Sequence, residues 1–224
     1  MHGRVVDALG ARIVGGELGP SDVIDPEHLA EEFDVSRTVM RESLRVLGGK
    51  GLVDARPRLG TFARDRSAWN LLDPDVLRWQ FAARPDPGMF ERLHELRVMI
   101  EPAAADLAAR RRTDADIEAL ARAVDAMAHP DAQGDQIVQA DQEFHLGLLM
   151  ATHNDLVEQL STVVGIGIAA RDRYVYQHSV PIERGLDHHR LVLDSVRAAD
   201  APSARARMLD LLDAAAVDIR EVES

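Results

Sequence analysis

Residues 35–62 read VSRTVMRESLRVLGGKGLVDARPRLGTF, and their punctuation decides the first third of the chain. Ser36 is an N-cap residue opening the helix RTVMRESLRVL, because its hydroxyl can accept from an otherwise unpaired amide of the first turn. Gly48-Gly49 and Gly51 end that helix. LVDARPRLGTFA then reads as two short strands around Arg56–Gly60. Upstream, Asp25-Pro26 pairs a cap with a proline at the first helical position and opens PEHLAEEF. Earlier still, Val6, Leu9 and Ile13 recur at helical spacing until Gly15-Gly16 and Gly19-Pro20 stop them. Only Asp34-Val35-Ser36 separates the second and third helices, with small Ala30 where they cross and Val35 turned inward. Helix, helix, tight turn, helix and hairpin make a winged helix-turn-helix over residues 1–66.

Charge singles out the same stretch. The chain of 224 residues carries a net charge of −12, which on average disfavours nucleic acid. Residues 36–66 nevertheless hold Arg37, Arg41, Arg45, Lys50, Arg56, Arg58, Arg64 and Arg66 against only Glu42, Asp54 and Asp65. One basic block therefore sits inside an acidic protein. A recognition helix presents its N-terminal residues to base edges in the major groove, which nominates Arg37, Thr38 and Arg41, with Ser36 at the cap and Arg45 further along. Arginine suits a bidentate contact to guanine, whereas Ser36 and Thr38 suit phosphate or a thymine edge. Arg56, Arg58 and Gly60 form the tip of the wing, placed for backbone or minor groove. The alternative is a solvated basic helix beside a hairpin.

Composition bounds the rest. Hydrophobic residues are 46% and charged residues 29%, the profile of a soluble globular chain. The absence of cysteine excludes disulfides, thiolate zinc sites and cysteine nucleophiles, and it fits a reducing cytoplasm. The N-terminal MHGRVVDALGARIVGG is broken by Asp7 and Arg12 and does not read as a signal peptide. No apolar run approaches the roughly 18–20 residues of a membrane span.

Residues 67–87 read as a linker with a short helix starting at Asp73-Pro74. Amphipathic helices follow over roughly 88–111, 114–128, 135–153, 155–178, 182–199 and 202–222, so residues 88–224 form an antiparallel α-helical bundle. The fold class is mainly α. Asp141 and His145, four residues apart on one helix, lie about 5–6 Å from each other at Cβ and can share a divalent metal. His189 can add a third ligand from another helix. A surface pair at 141 and 145, with His188-His189 in a solvated turn, is the plainer alternative.

VSRTVMRESLRVLGGKGLVDARPRLGTF resembles the signature of GntR-family bacterial transcription regulators. ELRVMIEP at 95–102, Asp141 and His145 in DxxxH, Ala151–Asn154 in AxxN, and HRLVLDSV at 189–196 resemble the all-helical effector-binding (FCD-type) domain of their fatty-acid-regulator-like subfamily. WNLLDPDVLRW at 69–79 resembles the branch containing galactonate-operon repressors. The resemblance implies a cytoplasmic, homodimeric repressor of double-stranded operator DNA that responds to a small carboxylate, an aldonate by its branch. It also implies a divalent cation, zinc by its donor set, on Asp141, His145 and His189. The fourth family position falls on Leu211, which cannot coordinate.

Arg97 matches the arginine that receives the effector carboxylate; the alternative is a pair with Glu101, four residues on. Asn154 matches a pocket-edge position, or else serves as a helix C-cap. Arg173 and Tyr176, with Arg171, lie on the helix that closes the cavity, facing either ligand or solvent. Two departures stand out. Asp34 occupies a turn position often held by glycine, and Glu27 occupies a second-helix position where some members carry a basic DNA contact. A competing reading makes Asp141, His145 and His189 the site of a metal-dependent hydrolase, since zinc lowers the pKa of bound water to about 7.

Overall fold

The computed structural model describes residues 2–20, 22–56, 60–83, 87–129, 131–132, 134–178 and 185–223. The chain forms two compact units, residues 1–85 and 86–224. Arg58 of the wing and the expected start of a helix at 182 lie outside the described residues.

In the first unit, α1 (His2–Val14) buries Val5, Val6, Leu9 and Ile13 along one face. α2 (Pro26–Glu32) begins on Asp25, whose carboxylate accepts from the amides of Glu27 at 2.9 Å and His28 at 3.4 Å. The chain then reverses: Asp34 takes a φ of 50° and the Val35 amide donates to the Ala30 carbonyl at 2.9 Å. A short polar side chain tolerates that left-handed conformation, so the turn forms without glycine. α3 (Arg37–Gly49) starts on Ser36, whose hydroxyl accepts from the Val39 amide at 3.3 Å. Met40, Ser43, Leu44 and Leu47 are its buried face.

The wing is β2 (Val53–Arg56) and β3 (Gly60–Ala63), antiparallel with Arg56 opposite Gly60. Gly60 has a φ of 108°, which side chains rarely adopt, so the turn needs glycine there. A third strand, β1 (Val23–Ile24), pairs with β3 and gives the sheet order β1-β3-β2. Two residues are too few to show alternation, so β1 was not legible in sequence.

The short helix starting at Asp73-Pro74 is α4 (Pro74–Ala82), and it packs within the first unit rather than as a free linker. Its Trp79 ring lies against Gly10 of α1 so closely that a Cβ at position 10 would collide with it. Val76 and Trp79 join Leu9, Ile13, Leu29 and Leu47 in one core.

The second unit comprises α5 (Pro87–Arg111), α6 (Asp114–Met127), α7 (Gly134–Met150), α8 (Asp155–Gln177), α9 (Leu186–Arg197) and α10 (Ala201–Glu223). Its main core gathers Leu120, Phe144, Leu148, Val192, Val196, Met208 and Leu212. α7 ends at Met150, three residues before the sequence limit, because His153 turns to a φ of 46° and the Thr152 hydroxyl donates to the Leu149 carbonyl at 2.7 Å. Asn154 is not a C-cap. It is the N-cap of α8, its side-chain oxygen accepting from the Leu156 amide at 3.1 Å. Among the described residues no helix is long and apolar enough to cross a membrane.

Candidate functional site

Each unit carries a candidate site. On α3 the residues Arg37, Thr38, Arg41 and Arg45 are all exposed, opposite the buried face, and Ser36 is exposed at the cap. Their charges are largely tied: Arg37 Nη1 lies 2.8 Å from Glu27 Oε1, and Arg45 makes two bonds to Glu42 at 2.6 and 2.9 Å. Arg41 has no carboxylate partner among the described residues. On the wing, Arg56 pairs with Asp54 at 2.9 Å and stacks 5.6 Å above the Phe62 ring. Exposed pairs of this kind contribute little, so they can be exchanged for phosphate or base contacts at small cost. Lys50 is a different case. The only lysine of the chain is directed to Asp73 and Asp75, away from any ligand role.

In the second unit, periodicity places charged groups in the interior. Arg97 and Glu101 are one turn apart on α5, as are Asp141 and His145 on α7; His189 comes from α9. All five are buried. Arg97 Nε donates to Glu101 Oε1 at 2.6 Å, and its Nη2 stands 3.2 Å from His145 Nε2. His145 Nδ1 lies 2.6 Å from Glu101 Oε2, and His189 Nδ1 lies 2.7 Å from the Gly185 carbonyl. These acceptors assign the proton to Nδ1 in each ring, so the His145 Nε2 lone pair receives Arg97 Nη2 and only that of His189 is left without a donor. Each Nε2 faces Asp141: His189 at 2.9 Å from Oδ1 and His145 at 3.8 Å from Oδ2. The closer contact is not aligned as a hydrogen bond, and His189 Nε2 is left without a partner.

One donor from each of Asp141, His145 and His189 lies within 4.8 Å of the others, a spacing suited to a shared cation. Two imidazoles oriented from behind and one carboxylate fit zinc. Phe144 packs edge-on to His189 at 4.9 Å and walls the cluster from the core.

Electrostatics follow from burial and pairing. Burial pushes the Glu101 carboxyl up, but Arg97 and His145 outweigh it and hold it at about 2. Asp141 is likewise held well below the usual carboxylate range, since His145, His189 and Arg97 outweigh its burial. Asp172 behaves oppositely: burial, and then the neighbouring Asp141 carboxylate, push it up to about 8 against the pull of Arg171. Arg97 loses by burial, yet Glu101 raises it above its ordinary value.

Arg97 borders two cavities. A narrow one of about 40 Å³ adjoins Asp141, His145 and His189, with Leu211 on its α10 wall. A wider one of about 500 Å³ is lined by Leu93, His94, Ile219 and Arg220, and it shares Arg97 and Arg171 with the first. Asn154 lines neither. On α8 the inward residues are Ile168, Arg171, Asp172 and Val175, so Arg173 and Tyr176 are exposed, the Tyr176 ring lying over Gly134. Asp172, which sequence reasoning passed over, sits one turn beyond the buried Ile168, and that spacing is the signal that marks it. Spacing marks Glu101 only as an arginine partner; its contact with His145 crosses from α5 to α7 and has no local signature.

Residues 2–63 match the gntR family of bacterial regulatory proteins, and residues 92–214 match the FCD domain. The galactonate operon transcriptional repressor of Escherichia coli is 30% identical over 98% of this chain and 96% of its own length. The chain belongs to the GntR family. The regulator LutR of Bacillus subtilis is 30% identical over 88% of this chain and 91% of its own length. A solved GntR structure from Streptococcus agalactiae aligns at a TM-score of 0.52 and 25% identity, covering 96% of this chain and 98% of that one. The protein is thus a DNA-binding transcription regulator with a winged N-terminal domain and an effector-binding helical domain. The metal-dependent hydrolase reading finds no support in these matches.

Proposed function

We propose that this GntR protein is a cytoplasmic, homodimeric repressor whose operator affinity is set by a small 2-hydroxycarboxylate, an aldonate first of all. The observation that carries the reading is the buried Arg97 at the boundary of the two cavities, a guanidinium suited to a carboxylate, with the Asp141, His145 and His189 cluster beside it. The named operon of the Escherichia coli relative supports galactonate as the type of acid.

Size divides the cavities' roles. The space beside the histidines, about 40 Å³, takes an ion and about one water, given about 30 Å³ per water. The chamber of about 500 Å³ has the volume of a small-molecule site and takes the body of the acid. Asp141, His145 and His189 would hold a zinc ion, which supplies a Lewis-acidic centre when bound. Arg97 orients the carboxylate, while Arg171 and His94 form the polar part of the wall.

In the first unit, Ser36, Arg37, Thr38, Arg41 and Arg45 enter the major groove, and Arg56, Arg58 and Gly60 follow the backbone. Two copies are needed because one winged domain covers one half-site. A coupling of about 1–3 kcal/mol between the two units changes operator affinity about 5–150-fold.

Fluorescence anisotropy on labelled DNA from upstream of the protein's own gene tests the reading, with zinc present. Aldonates are expected to shift the binding curve, smaller 2-hydroxy acids and dicarboxylates less, and the corresponding neutral sugars not at all. Binding indifferent to every acid would overturn the effector assignment.

A further inference from the structure

The two cavities of the second unit have Arg97, Arg171 and Ala215 in common, so these residues mark the boundary between them. Alanine brings no polar side chain to it. Two guanidiniums therefore flank the way from the chamber to the small space beside the histidines. That space, about 40 Å³, has room for an ion and about one water. A carboxylate head entering from the chamber stops at the boundary, beside both arginines.

The two arginines are held differently. Arg97 donates through Nε at 2.6 Å and Nη2 at 3.5 Å to Glu101, and both side chains of that pair are nearly closed to solvent, at 5% and 2%. Arg171, on α8, gives Nη1 to Asp172 Oδ1 at 2.6 Å. Its Nη2 reaches across to α10, donating to the Ala215 carbonyl at 3.0 Å and to Asp218 Oδ2 at 2.8 Å. The buried Nε of Arg171 has no partner among the described residues.

That free Nε decides what Arg171 can still do. A guanidinium presents its donors as a planar fork, and the strongest carboxylate pairing takes two parallel N–H groups at once. Asp218 engages Nη2 alone, through one oxygen, and leaves the adjoining Nε unused. A carboxylate that takes Nε and Nη2 together makes the better pair. Asp218 is also the easier partner to release: its side chain is 16% exposed, against 2% for Glu101, so it regains water more readily.

We propose that the effector carboxylate is received by Arg171 as well as by Arg97, and that it takes Nε and Nη2 of Arg171 over from Asp218. The inference rests on the reading that the second unit binds a small carboxylate. It adds to that reading the second side chain that holds the acid and the internal carboxylate the acid displaces. Without acid, Asp218 and Ala215 together tie α10 to Arg171; with acid, the Asp218 half of that tie is given up, and occupancy of the boundary becomes a change between α8 and α10.

The test is isothermal titration calorimetry of the zinc-supplied full chain with galactonate, gluconate, lactate and succinate. Wild type is compared with Asp218→Asn, Arg171→Lys, and Arg97→Met combined with Glu101→Gln. Asp218→Asn is expected to bind the acid that wild type prefers about threefold or more tightly, because no internal carboxylate competes. Arg171→Lys keeps the charge but loses the fork, and is expected to bind about tenfold or more weakly. A gain of affinity in one variant beside a loss in the other is not the signature of a folding defect. Where Arg171→Lys melts early without acid, the direction of Asp218→Asn decides alone.

Unchanged or weaker binding in Asp218→Asn would make Asp218 an anchor rather than a competitor and overturn the proposal. Wild-type affinity in a stable Arg171→Lys also overturns it. If binding is then lost only in the Arg97 and Glu101 double variant, the carboxylate reading stands on Arg97 alone. Failure of wild type to bind any of the four acids removes that reading and this proposal together.

Discussion

Glu27 Oε1 lies 2.8 Å from Arg37 Nη1, so the first turn of α2 holds the first arginine of the recognition helix. Both side chains are largely exposed, at 57% and 70%. Such a pair adds little to folding, so its effect should appear in DNA binding rather than in stability. Arg37→Ala is expected to lose about 1–3 kcal/mol of discrimination for the operator over other DNA, with an unchanged melting temperature. Glu27→Lys is expected to raise affinity for DNA of any sequence and to steepen the log–log salt dependence by about 0.9. Anisotropy titrations at several salt concentrations check both. Unaltered operator discrimination in Arg37→Ala would remove it from the base-reading set.

Lys50 belongs to the basic block by sequence but to the core of the first unit by structure. Its ammonium lies 2.9 Å from both oxygens of Asp73 and 2.7 Å from Asp75, only 14% exposed. Asp73 is also the N-cap of α4, so the lysine ties the end of α3 to the start of α4. Burial pulls its pKa down, and the two aspartates more than compensate and raise it. A cationic group with a raised folded pKa contributes fully below its unfolded value. That contribution disappears as pH climbs through the folded one. Lys50→Ala is expected to cost about 1.5–3 kcal/mol in urea unfolding at pH 8 and to lose part of the alkaline destabilisation above pH ~10.4. Wild-type stability at pH 8 in the variant would contradict this.

Much of this fold was written in local signals. Asp25-Pro26, Ser36 and Asp73-Pro74 cap helices where the sequence places them, because a cap is a contact within three residues. What escaped depended on contacts from far along the chain. α4 reads as part of a linker until Trp79 is seen against Gly10, 69 positions earlier. The rotation of α8 decides between Asp172 and Arg173, and that rotation is set by packing against other helices. Asp141, His145 and His189 are legible as types and spacings; the contact of Glu101 with His145 is not.

Metal binding should be visible as stability. Zinc at 100 times its dissociation constant would add about 2.7 kcal/mol to the folded state. His189→Ala takes away one donor and is expected to abolish most of the zinc-induced rise in melting temperature, leaving DNA binding without effector in place. Differential scanning fluorimetry with zinc, and again after chelation, checks it. An undiminished rise in His189→Ala would place the ion elsewhere.

Arg97 needs more than alanine to test it. Its guanidinium and the Glu101 carboxylate are 5% and 2% exposed, and removing one partner strands the other charge. Breaking a buried pair in that way costs about 3–5 kcal/mol, so Arg97→Ala alone would lose effector response through instability as well as through lost binding. Arg97→Met combined with Glu101→Gln removes both charges and is expected to recover most of the stability while remaining unresponsive to acids. The pH profile separates the two effects. Glu101 is held at about 2 in the folded protein, below its unfolded value, so its contribution is complete above pH ~4.3 and is lost as pH falls towards 2. The double variant should therefore unfold with a shallower acid dependence over that interval than wild type. If the double variant is stable and still responds to the acid, the carboxylate is received elsewhere in the chamber. An unresponsive, stable variant with a flattened acid limb assigns Arg97 both roles: partner to Glu101 within the fold, and receptor for the effector at the cavity boundary.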